Sequence, residues 1–71
     1  MKNKDDLIYN LIFSDMDDFY IDIDNYIDDI NDCDLFVREI KSILKKSKVK
    51  IVYNNLSVDD QSIMWNIKVK R

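Results

Sequence analysis

Aspartate is the residue type here whose number and spacing could do chemistry. Thirteen of the 71 residues are Asp, and eight of them fall between positions 15 and 32: Asp15, Asp17, Asp18, Asp22, Asp24, Asp28, Asp29 and Asp32. Clustered carboxylates can hold a divalent cation, work as an acid–base pair, or present a row of negative charge. An EF-hand loop needs D-x-[DN]-x-[DN]-G with a Glu at its twelfth position. The runs starting at Asp15 and Asp22 place Phe19 and Tyr26 at the fifth position, and no Gly or Glu follows. Glycoside chemistry needs two carboxylates facing across a concave site, which so short a chain scarcely builds. Neither a metal site nor a cofactor site is expected. The third use remains. On a helix through this segment, Asp15, Asp18, Asp22, Asp29 and Asp32 form one stripe with Asn25 in the gap, and neighbours on a helix face stand about 5–6 Å apart. That spacing approaches the distance between successive phosphates, so the row can imitate a nucleic-acid backbone. The bland alternative is a solvated acidic face.

The remaining reactive types exclude more than they offer. The chain contains no His, Gly or Pro and a single Cys, Cys33. Without Gly there is no phosphate-cradling loop, and without His there is no Ser-His-Asp or Cys-His pair and no Cys/His zinc site. One Cys forms no internal disulfide, which suits a reducing compartment, and with no His to activate it Cys33 reads as a small buried hydrophobe. No catalytic residue is therefore expected. A second candidate surface is basic: Lys48, Lys50, Lys68 and Lys70, with Lys45, Lys46 and Arg71 nearby, could contact phosphates directly.

These side chains need elements to hold them. Leu7, Ile8, Leu11 and Ile12 recur at one-turn spacing and predict a helix over 5–13. Ser14 followed by Asp17 resembles a capping box. Beyond it Met16, Phe19, Tyr20, Ile23, Tyr26, Ile27 and Ile30 keep a 3.6-residue period, predicting a second helix over 15–31. A strand through Phe19, Ile21 and Ile23 competes, but it accounts for three positions against seven. Asp34 serves as N-cap of a third helix, 35–47, with Phe36, Val37, Ile40, Ile43 and Leu44 inward and Lys45 and Lys46 at its negative end. The period then falls to two. Val49, Ile51 and Tyr53, and later Ile63, Trp65, Ile67 and Val69, predict an antiparallel hairpin over 48–54 and 62–70, joined by the polar loop Asn54–Gln61. The expected architecture is α+β: one small domain over 1–71, with N-terminal helices packed on a C-terminal β-hairpin. Its core is small, and Tyr9, Ile12, Phe13, Tyr20 and Ile21 exceed what one stripe buries, so a homodimer is expected.

Net charge is only −3, yet it is divided along the chain. Residues 1–36 carry eleven Asp against Lys2 and Lys4, whereas residues 37–71 carry nine Lys and Arg against Glu39, Asp59 and Asp60. Fields so separated steer partners more than they hold folds. In size, aspartate density and lack of catalytic residue types, the chain resembles the small acidic single-domain inhibitors of phages and mobile elements. These include anti-CRISPR and anti-restriction proteins, several of which imitate DNA. The resemblance implies a non-enzymatic inhibitor that meets a DNA- or RNA-binding effector protein through Asp15–Asp32. Such mimicry requires the acidic and basic residues to occupy separate faces. No stretch reads as a membrane span or signal segment, and a cytoplasmic setting is expected. The alternative function is a nucleic-acid-binding or regulatory module using the lysine face; an oligomerisation domain is the third.

Overall fold

The computed structural model describes residues 2–71. Helix α1 (Lys4–Phe13) starts where the Asn3 side chain accepts a hydrogen bond from the Asp5 amide at 2.8 Å. Asp5 and Asp6 follow in its first turn, where negative charge complements the helix dipole. Leu7 and Leu11 form its buried edge. Ser14 closes this helix by donating its amide to the Asn10 carbonyl, so it starts no second helix.

The segment expected as helix 15–31 is instead strand β1 (Asp18–Asp22) and two short 3-10 turns, Ile23–Asn25 and Ile30–Asp32. The competing strand is correct for Phe19 and Ile21, whereas Ile23 begins the first 3-10 turn. Phe19 and Ile21 point into the core while Tyr20 is 72% exposed, the reverse of the helical assignment for Tyr20 and Ile21. Met16 and Ile30, also expected inward, are exposed. The reason is energetic. A helix here would stack carboxylates at one-turn spacing, each pair costing roughly 0.2–0.5 kcal/mol, in a run of weak helix formers. Asp side chains instead bond nearby backbone. Asp22 accepts from the Asp24 amide at 3.2 Å and Asp29 from the Asn31 amide at 2.9 Å, starting the two 3-10 turns.

Helix α2 (Cys33–Lys46) buries Cys33, Phe36, Ile40 and Leu44. It starts two residues before the expected position, with Asp32 rather than Asp34 at the N-cap; Asp34 sits in the first turn and pairs with Arg38. Lys45 and Lys46 occupy its last turn as anticipated.

Strands β2 (Lys50–Val58) and β3 (Ile63–Lys70) form the hairpin, joined by a tighter loop than expected. Asp59 holds that loop, accepting from the amides of Gln61 and Ser62 at 2.8 and 2.7 Å. Asn54–Val58, read above as loop, continue β2. A bulge between Ile51 and Tyr53 shifts the register, setting Leu56 opposite Trp65 and Val58 opposite Ile63. The shift turns Tyr53 onto the outer face opposite Lys68, half exposed, so it is not a core residue. β3 lies between its two antiparallel neighbours in the order β1-β3-β2. Its inward side chains Ile63, Trp65, Ile67 and Val69 anchor the core against the helices.

Candidate protein-binding surface

The sheet has two ends, and charge sorts between them. At the hairpin-loop end, Asp22 pairs in register with Met64, and the Asp24 carboxylate accepts from the Ile63 amide at 3.1 Å. Asp59 and Asp60 occupy the loop itself. The N-terminus of α2 comes to the same end. Cys33 feels the carboxylates of both Asp34 and Asp24, and burial, followed by these two charges, raises its thiol above the ordinary range. Asp28, Asp29 and Asp32 lie on the short path between Tyr26 and α2. Asp22, Asp24, Asp34, Asp59 and Asp60 thus share one end of a molecule 33 Å long and 20 by 18 Å across. Neither 22–34 nor 59–63 contains a Lys or Arg, but Lys2 is brought beside the first of these segments by its amide, which donates to the Asn25 carbonyl at 2.6 Å. Arg38 pairs with Asp34 at 3.2 Å, and Lys4, which bonds Glu39 at 2.8 Å, shares a surface depression with Asp32.

The helical stripe of Asp15, Asp18, Asp22, Asp29 and Asp32, expected with Asp17, Asp24 and Asp28 flanking it, does not form, because 15–31 is not a helix. Asp15, Asp17 and Asp18 lie at the opposite end of the sheet. The Asp17 carbonyl accepts from the Val69 amide at 2.8 Å, and Asp18 stands opposite Lys68 with its carboxylate bonded to Asn66. In their place the fold adds Asp34, Asp59 and Asp60, which are remote in sequence from the 15–32 run or lie just past its end. Strand pairing brings Asp59 and Asp60 to this end, and the placement of α2 brings Asp34. Among the described residues no three carboxylate or sulfur side chains converge closely enough to hold a metal ion. Carboxylates spread in this way can meet several cations of a facing surface, one by one.

The basic residues collect at the other end. Lys50 stands opposite Lys70 across the hairpin. Lys48 and Lys50, joined by Lys41 and Lys45 of α2, rim a groove of about 440 Å³ whose floor is Val49 and Ile51. Lys68 is set apart on the outer face between Asp18 and Tyr53. Arg71, grouped with these cations from sequence, is structural: its guanidinium donates to the carbonyls of Leu11, Asn10 and Met16, capping the end of α1.

Two more ionisable groups are displaced from their ordinary values. Tyr26, stacked on Phe36, has its phenol raised by burial and by the Asp6 charge. Asp59 is held below the usual carboxylate range, chiefly by the amides of Gln61 and Ser62. Both shifts follow from structural contacts. No helix among the described residues is long and apolar enough to cross a membrane. No protein-family model matches the chain, and no curated protein or solved structure matches it either.

Proposed function

We propose that the chain is a non-enzymatic inhibitor whose acidic pole occupies the nucleic-acid-binding surface of a DNA- or RNA-handling protein. One observation carries this reading: Asp22, Asp24, Asp34, Asp59 and Asp60 meet at the hairpin-loop end of the sheet, while Lys41, Lys45, Lys48 and Lys50 rim a groove at the other. A partial separation of the two signs supports mimicry at a net charge of −3, although Asp15, Asp17 and Asp18 lie at the basic end. A concentrated negative patch speeds and orients encounter with a basic groove, which gives specificity and on-rate. The aspartates are fixed by local bonds to the backbone at Asp22, Asp24, Asp29 and Asp59, so the pole is presented with little side-chain freedom to lose. Cytosolic action in a host cell and an anti-CRISPR or anti-restriction target belong to the same proposal.

The lysine-rimmed groove supports a second reading, direct binding of phosphate groups by Lys41, Lys45, Lys48 and Lys50. One assay separates the two. Affinity purification of the chain from its source cell supplies the target protein, and competition with that protein's own nucleic acid reads the contact. Neutralising Asp28, Asp32 and Asp60 to Asn should weaken binding stepwise, about two- to fivefold per charge, with a steep salt dependence. Neutralising Lys45, Lys48 and Lys50 to Gln should leave it nearly unchanged. Unchanged affinity in the Asp set defeats the mimic. Loss confined to the Lys set, with retention on a DNA column, moves function to the groove.

A further inference from the structure

The two edges of the sheet are built differently. β1 is a five-residue edge with a carboxylate at each end, Asp18 and Asp22. Short, charged edges resist pairing with other chains. β2 is nine residues long, and no charged side chain interrupts it after Lys50 until Asp59 beyond its end. Val52, Tyr53, Leu56 and Val58 on this edge are 58, 49, 43 and 58% exposed. Leu56 and Val58 lie opposite Trp65 and Ile63 on the core side of the sheet, yet remain open. An uncovered strand of this length and composition offers an unpaired backbone row and an apolar margin together.

We propose that this edge pairs with the β2 edge of a second copy, antiparallel about a two-fold axis, joining two three-stranded sheets into one of six strands. Charge identifies the occupant. β2 begins at Lys50, with Lys48 just before it, and ends at Val58, with Asp59 and Asp60 just after it. An antiparallel copy brings the basic start of each strand beside the acidic end of the other, and symmetry makes the contact twice. A parallel copy would face lysine with lysine and aspartate with aspartate. A register centred on Asn55 sets Lys50 across from Asp60 and Val52 across from Val58. On a larger scale the same operation lays the acidic pole of one molecule alongside the basic pole of the next. The expected homodimer thereby gains a different surface from the Tyr9, Phe13 and Tyr20 set. It stands independently of the inhibitor reading.

Sedimentation equilibrium of the whole chain at low salt, from low micromolar to high micromolar concentration, should show twice the 8.6 kDa chain mass, weakening as salt is added. Leu56→Lys combined with Val58→Lys should abolish the dimer while the far-ultraviolet circular dichroism stays that of the monomer. A charge exchange guards against an unfolded variant. Lys50→Glu and Asp60→Lys should each raise the dimer Kd roughly two- to tenfold, and the double variant should return it towards wild type. Amide exchange should slow with concentration along Ile51–Val58 and not along β1. A wild-type monomer throughout, protection on α1 or β1 in place of β2, or a double variant no better than the singles would each overturn the proposal. So would β2 protection that arises only when a different protein is added.

Discussion

The short reach of aspartate is put to use at three of its thirteen positions. Asp22, Asp29 and Asp59 each accept from the amide two residues on, and Asn3 does the same before α1. A Glu side chain is one methylene too long for that turn. Asp59 tests the point, because two backbone amides favour its ionised form and hold its pKa below the ordinary carboxylate value, and neither bond needs a neighbouring charge. A group with a lowered folded-state pKa contributes stability that is complete above its unfolded value and is lost as pH falls through the folded one. Wild type should therefore exceed Asp59→Asn in urea midpoint at neutral pH, and the two should converge below the usual carboxylate range. Parallel curves across that range would show that the carboxylate charge adds nothing to the turn. Asp59 was visible from sequence only as one of the acids in a polar loop; its role depends on which amides the hairpin turns towards it.

At the scale of elements, β1 is where two periodicities compete in one segment. The run Phe19-Tyr20-Ile21-Asp22-Ile23 satisfies a strand, and the wider set from Met16 to Ile30 satisfies a helix. β3 resolves the conflict, since its inward side chains lie between two neighbours and Phe19 and Ile21 pair with Ile67 and Trp65. Substitution reads the outcome directly. Ile21→Ala should cost about 2–5 kcal/mol, since Ile21 is 3% exposed in the core. Tyr20→Ala should stay within about 1 kcal/mol, because its ring stands in solvent. Urea denaturation of both variants checks the pair, and the opposite ranking is what a helix would give. The same logic accounts for β2. Val49 and Ile51 keep one parity while Leu56 and Val58 keep the other, so a strict alternation rule ends the strand at Asn54. The bulge between Ile51 and Tyr53 absorbs the change.

For the whole molecule, segregated charge has a thermodynamic consequence. Like charges crowd each pole, and of the ion pairs among the described residues Lys4–Glu39 is half-buried and Arg38–Asp34 is solvent-exposed. Pairs so open to solvent contribute little, typically about 0–1 kcal/mol, so repulsion within the poles outweighs them. Raising salt from about 10 mM to 150 mM contracts the Debye length from about 30 to 8 Å and should raise the urea midpoint of the monomer, read at protein concentrations below the dimer Kd. For binding through the acidic pole the sign reverses, because screening weakens attraction to a basic partner. A salt series on stability and another on binding should therefore slope in opposite directions. A fall in stability with salt would mean that attraction between the poles and their surroundings holds the fold.

Local pattern alone determined a good part of this protein. The α+β class, α1, the amphipathic α2 with its terminal lysines, and the pairing of two C-terminal strands follow from apolar spacing within each segment, as does the position of Trp65 in the core. Residue types absent from the chain were equally legible, since no fold can supply an imidazole or a glycine loop. What only the tertiary structure decided involves contacts between distant residues. Asp18–Asp22 became a strand because Met64–Lys68 lie beside it. The 15–32 carboxylates divided between the two ends of the sheet for the same reason, and Asp59 and Asp60 joined Asp22 and Asp24 because β1 and the hairpin loop meet at one end of β3. Hydrophobic period records which face of an element is buried, but not which element covers it. In a segment short enough to satisfy either period, the neighbouring strand makes the choice.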